Sequence, residues 1–419
     1  MNLLEMVAAR DLKKTGITKK MSVSGQMNND PYEVFAIPLE YLYYNDQNGR
    51  INTTYKQYQA EHGVLIPEAG NSKYNEIFED FIYKSNANAL KDTLQSIKDK
   101  TQQEPGVVLP DGRVIDGNRR FTALRMYQSE DNIAKTFEAI ILPLDAAKKT
   151  DEKTIKELEL DLQLGREERI NYDPIDRIFD VYNTIKVEEL MTVEEYKKAS
   201  GAGNTKGINR DIRLAELILR FIGIISPGGE PVNKFFLARD LKLDGPIEEI
   251  ESTINKLKSS DKEAITDAVL VQLAVAKTNN ENQDATRIIR DLKDNVLKKS
   301  DILEHYMDAV DDKVDDIIDA FKEKPIMSSN DLKQTINQDS ELKEVVEKFK
   351  QSTNRLVHKG MKDKKRTRVI SELEDIMDNL DEISVDSFSD LTVEENLNAK
   401  DLLRDITDIL YKLKKDLKV

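Results

Sequence analysis

The chain has 419 residues, 34% of them charged and 39% hydrophobic, with a formal net charge of −15 and no cysteine. That length fits roughly two or three domains, and the missing cysteines exclude disulfides, thiolate metal sites and a cysteine nucleophile. The acidic balance argues against a broad, non-specific nucleic-acid coat but leaves room for a local basic face. In chain order, residues 1–31 are polar and mixed and read as a loose arm or a partner-docking segment. Residues 32–44, rich in Tyr, Val, Phe and Ile, favour a strand. Residues 51–75 hold many Tyr, Gln and Asn residues around a Glu68–Ala69–Gly70–Asn71–Ser72 turn cluster and read as an insertion. A helix over 74–83, with Ile77, Phe78, Phe81 and Ile82 on one side, precedes a second over 90–100. Residues 107–109 and 113–115 form a hairpin through Pro110–Asp111–Gly112, since Asp-Gly between apolar runs is a strong turn signal. The apolar run 137–144 fits a buried strand.

From Pro174 the pattern turns helical, because proline suits a first helical turn. Ile175, Ile178, Phe179, Tyr182 and Ile185 make an apolar stripe. Thr192 with Glu195 forms a capping box. A helical unit over 191–199, a glycine-containing turn over 200–205 and a helix over 206–221 give a helix-turn-helix pattern. The second helix presents Lys206, Asn209, Arg210 and Arg213, residue types that read bases and phosphates from a recognition helix. An ordinary helical hairpin with solvated or locally paired basic residues is the alternative. Ser226–Pro227–Gly228–Gly229–Glu230–Pro231 breaks the structure. Beyond residue 246 the chain is acidic and helical, with apolar stripes over 288–297, 306–321 and 402–417 that suit a bundle or a dimer seam. Asp311, Asp312, Asp315, Asp316 and Asp319 lack calcium-loop spacing and read as a solvated face. Six basic residues between Lys359 and Arg368 form the strongest local positive run. His62, His305 and His358 show no metal-ligand spacing. The start lacks a signal-peptide pattern and no segment is long enough to span a bilayer, so a cytoplasmic location without a membrane is expected.

The most informative stretch is Val114–Ile115–Asp116–Gly117–Asn118–Arg119–Arg120–Phe121–Thr122–Ala123–Leu124–Arg125. It reads as a strand end, an acidic glycine turn, paired arginines and a helix start. Glycine lets backbone approach an anion, helix-start N–H groups point at it, and guanidiniums fork onto phosphate oxygens. A plain strand–turn–helix with solvated arginines is the competing reading.

Asp116–Gly117–Asn118–Arg119–Arg120 resembles the Gly-Glu-Arg-Arg box of the ParB N-terminal domain, in the ParB/sulfiredoxin fold. Ile37–Pro38–Leu39–Glu40–Tyr41–Leu42, leading to Asn45 and Arg50, is similar to the first box. Leu90–Lys91–Asp92–Thr93–Leu94–Gln95–Ser96–Ile97 is similar to the family's Leu-x-x-Ser-Ile helix. Leu162–Gln163–Leu164–Gly165 to Asp173–Pro174–Ile175–Asp176 is similar to the third box. The resemblance covers residues 32–220 and implies an α+β fold: a small mixed-sheet ParB/sulfiredoxin-like N-terminal domain, then mostly helical middle and C-terminal regions. The implied domains are 1–31, 32–172, 173–245 and 246–419. The absence of cysteine excludes the sulfiredoxin branch.

The family binds cytidine triphosphate with magnesium and uses it to close a DNA clamp. Carried over, Gly117, Asn118, Arg119 and Arg120 would hold the triphosphate of CTP or another nucleotide, with Arg50 adding a phosphate contact. The family's third-box Glu-Asn pair falls on Gly165 and Arg166, or with a small gap on Glu159 or Asp161, which stand as magnesium ligands. Asn118 replaces the second-box glutamate, and Asp116 is the close candidate for a catalytic carboxylate. The readings are a nucleotide-regulated protein binding double-stranded DNA as a homodimer through its C-terminal helices, an enzyme of the same pocket (a weak NTPase, a phosphoryl-transfer enzyme or a nuclease), or a protein-interaction scaffold with a degenerate pocket.

Overall fold

Strict alternation of apolar side chains builds a two-faced sheet in the first third of the chain. The computed structural model describes residues 2–23, 26–49, 51–164, 173–258, 260–278, 284–381, 383, 388 and 391–417. Its strands are β1 (Lys13–Val23), β2 (Gln26–Pro38), β3 (Tyr43–Tyr44), β4 (Gly106–Val108), β5 (Arg113–Asp116) and β6 (Thr136–Ile141). They form one six-stranded mixed sheet in the order β1-β2-β6-β4-β5-β3. β4 lies parallel to β6 and antiparallel to β5. Along β6, Phe137, Ala139 and Ile141 enter one core and Ile140 the other. Val114 and Ile115 of β5 divide the same way, as a period of two requires.

One face is covered by α2 (Asn52–His62), α3 (Ser72–Ser85), α4 (Ala87–Lys100) and α5 (Asn118–Asp131), together with Leu3 of α1 (Leu3–Ala9). The other receives Ile155 and Leu158 of α6 (Lys149–Leu164). This is the α+β arrangement expected, with the hairpin of β4 and β5 where Asp111–Gly112 marks it.

One expectation fails here. Residues 1–31 are not a loose arm, because Leu3 is fully buried and its N–H donates to the Pro110 carbonyl at 2.7 Å. β1 pairs with β2 from Lys13 opposite Ala36 to Val23 opposite Gln26. Its lysines mask the strand character of Thr15, Ile17, Thr18 and Val23. Lysine is a normal guard on an edge strand. Residues 51–75, read as an insertion, hold α2 and the start of α3. Tyr55 of α2 is buried against Phe78 of α3, ring centroids 4.9 Å apart.

After residue 172 the fold is helical: α7 (Pro174–Tyr182), α8 (Val193–Ala199), α9 (Lys206–Ile225), α10 (Phe236–Asp240), α11 (Asp244–Lys256), α12 (Lys262–Lys277), α13 (Ala285–Leu292), α14 (Ser300–Glu323), α15 (Ser329–Gln338), α16 (Ser340–Asp381) and α17 (Val393–Leu417). The Thr192 hydroxyl and Glu195 carboxylate close the expected capping box at the start of α8. Packing does not break at residue 245. Helices α11, α12 and α14 all lie against α9, whose buried Leu214, Ala215, Ile218, Phe221, Ile222 and Ile225 cover more than one face. Along α14, Tyr306, Val310, Val314, Ile317 and Phe321 are buried while the clustered aspartates are exposed. The chain divides into two compact units, Met1–Asn354 and Arg355–Val419. In the second unit, α17 buries none of its side chains.

Phe137 packs where the backbone of Gly106 leaves room for it. A Cβ at Gly106 would lie 2.2 Å from Phe137 Cζ and 2.8 Å from the Asp116 carbonyl oxygen. Gly106→Ala is therefore expected to lose about 2 kcal/mol or more in urea denaturation. Phe137→Leu in the same chain should recover part of that loss, because the clash is with the ring tip.

Candidate functional site

β5 ends at Asp116, and Gly117 turns the chain into α5 with φ of +95°. A side chain there is strained, and a Cβ would sit 2.8 Å from Phe137 Cζ and 3.2 Å from the Arg120 guanidinium. The Phe121 N–H donates to the Gly117 carbonyl at 2.8 Å and closes the first turn. N–H groups at a helix start lack intrahelical acceptors, and Gly117 offers no side-chain cap. Asn118 is buried, and its Oδ1 has no hydrogen-bond partner.

Charge gathers around this turn. The Asp116 carboxylate lies 3.3 Å from the Arg120 guanidinium and 3.7 Å from the Lys19 ammonium. Lys19 comes from β1, is only 10% exposed along its side chain, and also donates to the Pro105 carbonyl at 2.6 Å. Arg120 donates to the Glu104 carbonyl. Arg119 is partly exposed beside it. Two cations and a helix start thus converge on one carboxylate, where a second anion would find the same partners.

A second polar centre joins the sheet to the helices. Glu159 of α6 is buried and accepts a hydrogen bond from the Asn45 side-chain amide. Lys156 lies 3.9 Å from Glu159 and 2.6 Å from Asp180, whose other oxygen accepts from the Tyr196 hydroxyl at 3.1 Å. Arg113 reaches Asp46 at 3.1 Å. On α7, Asp176 accepts from the Thr53 hydroxyl and lies 3.5 Å from Arg239. Burial opposes charge on Lys156, but Asp180 and then Glu159 outweigh it and hold its pKa above the ordinary value. Burial pushes the Glu159 carboxyl from 4.5 up to about 7, against the pull of Lys156. Burial likewise lifts Asp176 from 3.8 to about 7, against Arg239 and the Thr53 hydroxyl.

The structure brings Asp116, Gly117, Asn118, Arg119 and Arg120 together at one turn. The two alternative magnesium ligands stand in different surroundings. Glu159 is buried and bonded to Asn45, whereas Asp161, two positions along α6, is exposed. A separation of two places side chains on different helix faces. Among the described residues no group of three or more His, Asp or Glu side chains is placed to hold a metal. Arg50, Gly165 and Arg166 lie outside the described residues, as do most side chains of the basic run after Lys362. On α9, Lys206 and Asn209 are exposed. Arg210 lies 3.2 Å from Glu248, and Arg213 is bonded to the buried Glu251. Sequence reasoning missed Lys19, because it placed β1 in an arm. It also missed Arg113, Asp180 and Arg239, whose partners are remote in sequence. A cavity of about 550 Å³ lies elsewhere, lined by Tyr41, Tyr43, Pro67, Glu68 and Asp111 among others.

No family model matches the chain, and no curated protein matches it. Among solved structures, one described as "Structure of the C2221 form of Pnob8-like ParB-N domain" is similar, at 13% identity and a TM-score of 0.30. The match covers 62% of this chain and 93% of that chain. It falls in the family that the sequence boxes resemble. At that score it carries no argument about the site, which rests on residues and geometry.

The raised Glu159 pKa gives a signed pH dependence. Between about 4.5 and about 7 the folded chain keeps a proton that the unfolded chain has released. Stability from this group therefore falls as pH rises through that window. Glu159→Gln should be more stable than the parent by about 1 kcal/mol near pH 8. The difference should shrink towards zero near pH 5, as read by urea denaturation at both pH values.

Proposed function

We propose that the chain is a ParB-like, nucleotide-responsive DNA-binding protein whose triphosphate site is the Gly117 turn. One observation carries the reading: the uncapped start of α5, with Arg119 and Arg120 on its first turn, meets the Lys19 ammonium across Asp116. A phosphate group bound there takes N–H donors from the helix start and charge-assisted hydrogen bonds from Lys19 and the arginines. It also competes with Asp116 for those cations. The preference for CTP comes from the resemblance. Of the two alternative magnesium ligands, Glu159 is buried and bonded to Asn45, which leaves the exposed Asp161 as the carboxylate that could join phosphate oxygens around the ion. Asp116 already has two cations against its carboxylate, so the enzyme reading gains no free acid at the turn.

Duplex contact, on this reading, belongs to the first turn of α9, where Lys206 and Asn209 face solvent and Arg210 is 42% exposed along its side chain. Arg213 is withdrawn from that role by its bond to buried Glu251. The homodimer belongs to the C-terminal helices, of which α17 buries none of its side chains.

A titration of the four ribonucleoside triphosphates, with magnesium and with and without duplex DNA, tests both parts. Saturable binding of one nucleotide is expected, weakened tenfold or more in Arg120→Ala and in Lys19→Ala, each of which removes a charge-assisted bond worth about 1.5–3 kcal/mol. Unchanged affinity in both variants refutes the site. Lys206→Ala should lower the salt slope of duplex binding by about one unit if that lysine meets a phosphate.

A further inference from the structure

An uncovered apolar surface runs along α17. Leu402 is 55% exposed, Ile409 60%, Leu413 47% and Leu417 70%. With Leu403, Ile406 and Leu410 they fall within an arc of about 120° at 100° per residue. A contiguous apolar stripe of this kind marks an interaction surface. Charge is distributed unevenly along the same helix. Glu394, Glu395, Asp401, Asp405 and Asp408 load its first two thirds, while Lys412, Lys414 and Lys415 load its end. Lys400, Arg404 and Asp416 dilute this polarity without reversing it, and Arg404 is turned to Asp401 at 3.2 Å.

From this pattern we infer that the occupant of the stripe is α17 of a second copy, docked antiparallel. The inference rests on the dimer reading above and adds its orientation and register. The stripe steps through Leu402, Ile406, Ile409 and Leu413 by four, three and four, the alternation of a two-helix seam. Antiparallel pairing centred between Thr407 and Asp408 sets Leu402 of one copy against Leu413 of the other, and Ile406 against Ile409. On one flank Asp405 then meets Lys412 of the second copy, twice by symmetry. On the other flank Leu403 meets Leu410. The paired length is about 30 Å at 1.5 Å per residue. A parallel pair would lay acidic segment on acidic segment and bring no Asp405–Lys412 contact, so charge selects the antiparallel arrangement.

Sedimentation of the full chain over a range of concentrations, at low salt, tests this. A monomer–dimer equilibrium is expected, and Leu402→Glu with Ile409→Glu should leave a monomer. Asp405→Lys and Lys412→Asp each turn both flank contacts repulsive and should weaken self-association about tenfold. An equimolar mixture of those two variants should recover parental association, because the mixed dimer regains both opposite-charge contacts. A parent chain that stays monomeric overturns the dimer reading itself, and a dimer unaffected by the stripe variants overturns the surface. A dimer without recovery in the mixture overturns the antiparallel pairing alone.

Discussion

The close approach of two backbone segments to the Phe137 ring underlies the arrangement of the candidate site. Gly106 on β4 and Gly117 after β5 both lie where a Cβ would strike that ring. Their lack of side chains lets β4, β5 and β6 close over it, and the positive φ of Gly117 then starts α5 at the sheet's edge of charge. The Lys19 side chain of β1 reaches Asp116 beside that helix start, at 3.7 Å. Sterics place the turn, and electrostatics then fill it.

The turn and the buried polar centre differ in kind. At the turn, Asp116, Arg119 and Arg120 are partly exposed, so an anion can approach them from solvent. At the Asn45–Glu159–Lys156–Asp180 centre every member is buried and bonded. Buried polar networks of this sort fix geometry and cost desolvation. Here the network ties the loop after β3 to α6, α7 and α8, and it makes the joint between sheet and helices sensitive to protonation. Its carboxylates are not available as ligands while these bonds hold.

The helical part shows how packing reassigns residues that look alike in a sequence. Lys206, Asn209, Arg210 and Arg213 lie on one helix at spacings suited to a groove. Yet α9 is buried along most of its length, and α11 supplies Glu248 and Glu251 to two of its arginines. Among the candidate contact residues, Lys206 and Asn209 on the first turn stay exposed. In α17 the reverse holds: a stripe that would be core elsewhere is left uncovered.

Local physics made much of this legible in the linear chain. The Asp111–Gly112 hairpin, the strand run from Phe137, the capping box at Thr192 and the strand–glycine–helix layout at residues 114–125 each depend on neighbours within a few positions. The sequence by itself therefore determined the α+β class, the helical remainder and the turn where charge gathers. Only the tertiary structure decided that the lysine-rich stretch after Leu12 is an edge strand, that Lys19 meets Asp116, that Glu159 and Asp161 part company, and that Arg213 is taken by Glu251. Those outcomes turn on partners tens of residues away. Whether a charged side chain faces water, an ion or a buried acid is set by what packs against it, and no local pattern encodes that.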